Sequence, residues 1–339
     1  MKTWQSILIA SGFLLGKGDS RIYAPEQPLE GPGGKGYAHA EVKVHDFSMS
    51  PQGYWLFEPA APTPDSARVI VFLHGYSAIN PMVFGGWIRH MVRKGHIVIY
   101  PRYQKNLVSP SSKAYVENAA IAIREALSRL EAAEGMYPIV EPFIIVGHSY
   151  GGVIAANLGI YYADWGLPPP KGLLISCPGT GPVFQGGWLP SYEGLAEDLR
   201  LLIIVGAKDR VVGEKVGRQI FETAVHTPRR NFIRMLPDGR GVPKITAGHN
   251  ESQALDSAFD SGRHGLSYRR GLKYGKYDAS DYYIYWKLLD ALSDCLHEGQ
   301  ACNVAFGNTP EQRYRGTWSD GQLVRELEVV LPEVGYPAL

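Results

Sequence analysis

The stretch PFIIVGHSYGG, Pro142–Gly152, decides the fold. Its first half, Phe143 to Val146, is apolar without alternation, as expected of a strand buried on both faces. Gly147-His148-Ser149-Tyr150-Gly151 then matches the Gly-x-Ser-x-Gly pattern. A helical pattern runs on from Gly151 to about Tyr162. Strand, sharp turn and helix form the context in which that pattern presents a nucleophilic serine. The glycines follow from sterics. A serine on so tight a turn leaves no room for side chains two residues before or after it, and glycine removes both Cβ atoms. The turn lifts the Ser149 hydroxyl above the sheet and aims the Tyr150 amide at the oxygen of a bound carbonyl.

Similar runs lie on either side. RVIVFLHG (Arg68–Gly75) and HIVIYP (His96–Pro101) precede the motif; GLLISC (Gly172–Cys177), LLIIVGAKD (Leu201–Asp209) and NFIRML (Asn231–Leu236) follow it. Helical spacing separates them, with Trp87, Ile88, Met91 and Val92 ahead of Gly95, and a longer pattern over Tyr115–Ala133. Strands alternating with helices predict an α/β class with a mainly parallel sheet and right-handed crossovers. Two further strands are expected earlier, over His39–Met49 and Gly53–Pro59. Functional groups in such sheets collect at the carboxyl ends of the strands, where His74, Ser149, Cys177 and Asp209 all fall.

The ends of the chain read differently. Lys2 precedes a mostly apolar run, Ile7–Leu15, too short to span a bilayer, so residues 1–20 are expected to be a signal peptide or N-terminal anchor. The Gly/Pro-rich residues 21–38 read as a linker. One domain is expected over 39–339, with a core at about 40–260 and a helical, irregular extension at about 276–339. Within the extension, Tyr282, Tyr285, Trp286, Leu289, Leu292 and Leu296 share one helical face, which is the spacing of core packing. Cys295 and Cys302 flank a turn-like stretch and can form a disulfide, which together with the leader places the protein outside the cytoplasm.

The strand ending in His-Gly, the GHSYGG elbow and the later acid-bearing strand resemble the α/β-hydrolase superfamily on its esterase and lipase side. HGYSAINP adds a similarity to polyester hydrolases and dienelactone-hydrolase-like proteins. The resemblance spans roughly residues 40–260 and implies a serine hydrolase that cleaves carboxylic esters through an acyl-enzyme. In the family's chain order of serine, acid, histidine, Asp209 takes the acid's place, although it also suits a cap on the following helix. The base is then His249 or, as the alternative, His264; His226 and His297 fall at helix ends. Tyr76 and Tyr150 are implied as backbone donors of an oxyanion hole. His74 resembles a residue that braces the loop.

With 34 basic and 33 acidic residues among 339, the net charge is +1, and no basic stripe points to nucleic acid. Scattered histidines form no metal signature, GHSYGG lacks the lysine of a phosphate-binding loop, and no cofactor is expected. Phe84, Trp87 and Trp188 are candidates to line a pocket. The partner expected is a small or polymeric ester, with no membrane span. A peptidase, an acyltransferase and a non-catalytic binding module on the same scaffold are the competing readings.

Overall fold

A computed structural model of the chain describes residues 21–105, 111–180, 186–333 and 335–337; the leader lies outside them. Nine strands form one sheet: β1 (Glu41–Asp46), β2 (Tyr54–Ala60), β3 (Ser66–Leu73), β4 (His96–Pro101), β5 (Tyr137–His148), β6 (Pro170–Ser176), β7 (Arg200–Gly206), β8 (Arg230–Met235) and β9 (Glu328–Val330). Their order is β1-β2-β4-β3-β5-β6-β7-β8-β9. Strands β3 to β8 pair in parallel, while β1, β2 and β9 run antiparallel at the two sides.

The unalternating apolar runs are explained by helices on both faces. Val69, Val71 and Leu73 of β3 enter one core with Ile97, Ile99, Phe143 and Ile145, beneath α2 (Ser112–Ala132), α3 (Tyr150–Tyr161) and α4 (Lys215–Thr223). Ile70 and Phe72 point the other way, with Val98, Tyr100, Ile144 and Val146, against α1 (Gly85–Arg93) and α6 (Trp286–Glu298). After β3 the chain crosses to β4 on one side; after α2 it returns to lay β5 on the other. That reversal opens a crevice at the carboxyl ends of β3 and β5, the place where such sheets put their sites.

Two segments flanking the expected core are held against it. Residues 21–38 lack regular structure but are docked on the rest of the chain. Ala24 N–H donates to Val242 O at 3.1 Å, and buried Gly33 donates to Asp290 of α6 at 2.8 Å. Gly/Pro content marks irregular backbone, which can still be pinned by hydrogen bonds. The extension is part of the fold as well. Tyr285, Trp286, Leu289 and Leu292 are buried against the sheet, so α6 is one of its covering helices, and β9 completes the edge beside β8. A disulfide joins Cys295 to Cys302 at the end of α6. No helix among the described residues is long and apolar enough to cross a membrane.

Candidate active site

Ser149 stands between β5 and α3 with φ 55° and ψ −117°, a conformation that L-residues avoid. A Cβ on Gly151 would overlap the carbonyl oxygens of Leu73 and His74, and one on Gly147 would overlap that of Gly151. The elbow is therefore wedged against the end of β3, and only glycine fits at either flank. Ser149 N–H donates to Ser176 O at 2.9 Å, which anchors the turn to β6.

The structure brings three of the predicted residues together. Ser149 Oγ lies 2.9 Å from His249 Nε2, and His249 Nδ1 lies 2.8 Å from Asp209 Oδ2. The second carboxylate oxygen of Asp209 accepts the amides of Val211 at 2.8 Å and Val212 at 3.0 Å. Asp209 thus closes its own turn, but it does not cap the following helix, since α4 begins at Lys215 with Glu214 at its cap position. Burial works against its charge, but the bond and charge of His249, with the two amides, outweigh burial and hold its pKa below the ordinary carboxylate value. The His249 loop is fastened at both ends. Lys208 N–H reaches Ala247 O at 2.8 Å, and Glu251 accepts from Gly248 N–H at 2.8 Å and Thr246 Oγ1 at 2.6 Å.

His264 stays apart. It pairs with Asp260 at 3.0 Å and stacks on Tyr268, with ring centroids 4.0 Å apart. Two loop histidines were open to the sequence, and each has its own carboxylate in space.

Tyr150 is the first residue of α3, where a backbone N–H has no acceptor within the helix. The loop bearing Tyr76 is held by groups that the sequence reading missed. Ser267 Oγ donates to Tyr76 O at 2.9 Å, Ser267 N–H to Ser77 Oγ at 2.9 Å, and Ser77 N–H to Gln104 Oε1 at 2.8 Å. Ser77 itself has a positive φ of 67°. No short motif joins residues 77, 104 and 267, so only the fold reveals them. His74 braces the same loop, stacked on Tyr103 at 4.2 Å and set between the carbonyls of Gly75 and Arg102. Burial lowers its pKa to about 4, which keeps it neutral.

Two further buried groups flank the set. His148, within the elbow, lies 3.0 Å from Ser176 Oγ and stays neutral, because burial and then the neighbouring His249 push its pKa well down. Cys177, also at positive φ, buries a thiol beside Asp209; burial first and that carboxylate second push its pKa well up.

A cleft of about 510 Å³ opens over Ser149. One wall is Gly179, Thr180, Arg210, Val211 and Val212; the other is Leu266, Ser267 and Arg270, from a short helix α5 (Leu266–Tyr274). Phe84 and Trp87 do not line it. Both are wholly buried in the core between α1 and the sheet, and Trp188 packs on the opposite core.

A serine at positive φ between a parallel strand and a helix, beside a crevice in a doubly covered sheet, decides the fold family. The chain has the α/β-hydrolase fold. In agreement, the model of the family described as Chlorophyllase, a member of this superfamily, matches residues 34–182. The matched part of this α/β-hydrolase holds the His74-Gly75 loop and the Ser149 elbow and ends ahead of Asp209 and His249. A comparison with curated proteins found no match. At the level of reaction class the chain is a hydrolase.

Proposed function

We propose that this α/β-hydrolase cleaves carboxylic esters, with Ser149 as nucleophile, His249 as base and Asp209 as the acid that orients it. The observation that carries the reading is the unbroken run of hydrogen bonds from Ser149 Oγ through both nitrogens of His249 to Asp209. A serine hydroxyl is protonated at neutral pH and needs such a base. His249 takes the proton as Oγ attacks the carbonyl, and the Asp209 charge stabilises the imidazolium that forms. The amides of Tyr76 and Tyr150 receive the oxyanion, each donor of this kind contributing about 3 kcal/mol to the transition state. His249 then protonates the leaving alcohol and activates the water that frees the acyl-enzyme. The chlorophyllase match supports ester cleavage, since that family's name denotes an activity on the esters of chlorophyll. The disulfide and the apolar run at residues 7–15 support export from the cytoplasm.

The test is labelling with a fluorophosphonate and turnover of p-nitrophenyl esters of graded acyl length. Ser149→Ala is expected to abolish labelling and lower turnover by about 10⁴-fold or more. His249→Ala should behave similarly and His264→Ala should remain active. Labelling that survives Ser149→Ala, or that is lost in His264→Ala and kept in His249→Ala, overturns the assignment.

A further inference from the structure

Among the described residues, the walls of the cleft over Ser149 carry two formal positive charges and no carboxylate. Arg210 follows Asp209 directly on one wall, and Arg270 projects from α5 on the other. Both are exposed, and among the described residues neither side chain makes an ion pair or a hydrogen bond. Arg269 and Arg325 also lack a side-chain partner among the described residues, but neither lines the cleft. By contrast Arg68, Arg89, Arg129, Arg218, Arg234, Arg240 and Arg313 each pair with an aspartate or glutamate, although Arg129, Arg218 and Arg240 are exposed. The nearest acid in sequence, Asp209, is spent on His249 and two amides, and Arg210 takes no part in holding its charge. Asp260, close to α5 in sequence, is bound to His264 and Asn80.

We infer that the ester cleaved at Ser149 carries a carboxylate away from the scissile bond, and that Arg210 and Arg270 receive it. The inference rests on the esterase reading and names its substrate class. Two like charges across a concave, partly apolar cleft focus a positive potential where the ligand enters. The guanidinium fork matches a carboxylate with two parallel N–H donors, and an unpaired fork gives up no existing partner to do so. The volume suits a small molecule, with Val211, Val212 and Leu266 to cover its carbon chain. The near-zero net charge of the whole chain does not reveal this local concentration of positive charge.

Two ester pairs test it, followed in a pH-stat. Monoethyl adipate against ethyl hexanoate places the charge on the acyl side; 4-acetoxybenzoate against its methyl ester places it on the leaving group. In at least one pair the charged ester should have the higher kcat/KM, by about tenfold or more, mostly through KM. The preference should shrink as NaCl rises and disappear in Arg210→Gln/Arg270→Gln, whose activity on the neutral ester should persist. A neutral ester preferred in both pairs, or a preference that survives the double substitution, overturns the inference while leaving the esterase reading intact. Should no ester be turned over, the esterase reading fails by itself, and equilibrium binding of the same four esters to Ser149→Ala protein decides the inference. Arginine-dependent binding of a charged ester sustains it; equal binding of charged and neutral esters overturns it.

Discussion

At Ser149 the backbone accepts a conformation that costs of order 1–3 kcal/mol, and the surroundings impose it. The Leu73 and His74 carbonyls press on Gly151, and the start of α3 presses on Gly147, so the turn cannot relax toward an ordinary φ. Gly151→Ala is therefore expected to destabilise the fold by about 3 kcal/mol or more and to abolish fluorophosphonate labelling, since the added methyl meets strand backbone rather than a side chain able to move. A urea midpoint and labelling extent both equal to wild type would contradict this. These residues were readable beforehand, because a five-residue pattern fixes them relative to one another. Asp209 was readable from its place at a strand end. The twelve positions between Leu236 and His249 left the register of the proposed base open. In space each histidine has its own carboxylate, Asp209 facing His249 and Asp260 facing His264, and only the first pair reaches Ser149.

Helix α5 connects the cleft to the oxyanion loop. Ser267 touches both Tyr76 and Ser77, so the wall that carries Arg270 also sets the backbone of the proposed oxyanion donor. Ser267→Ala removes buried hydrogen bonds worth about 1–3 kcal/mol. Its expected effect is a kcat lowered about tenfold with KM nearly unchanged, since misplacing a donor penalises the transition state more than the bound ester. A change confined to KM would show instead that the contact merely shapes the cleft. Nothing in LSYRRGLKY announced such an element, because it is short and polar and its contacts lie some 190 residues upstream. The central strands were plain for the opposite reason: each is an uninterrupted apolar run, and burial on both faces leaves no other reading. The aromatic stripe before and within α6 was likewise a packing face. Its importance as a covering layer depended on the order of strands, which periodicity does not encode.

Three neutral histidines knit the carboxyl end of β3, the start of β4 and the end of β5 into the interior. Burial lowers His74 and His96 to about 4 and His148 well below its ordinary value of 6.5. An unfolded chain would begin to protonate all three near pH 6.5, whereas the folded chain resists. The stability they contribute is thus complete above that pH and is lost as pH falls toward about 4. With up to three protons involved, the steepest loss is about 4 kcal/mol per pH unit. Urea unfolding at pH 7.5 and pH 5 should show a clearly lower midpoint at the acid value; identical midpoints would refute the linkage.

The order of the strands also sets a timetable for synthesis. Strand β9 pairs with β8 across a gap of 94 residues at Arg234–Glu328, and α6 likewise follows every other strand it covers. As translation proceeds, Ser149, Asp209 and His249 all emerge while the outer edge of β8 is still bare and one sheet face is covered only by α1. Bare edges and uncovered apolar faces are what chaperones bind and what aggregates grow from. A nascent chain would therefore carry its whole set of reactive side chains before it had a closed sheet to hold them. Its competence waits on segments that never touch a substrate.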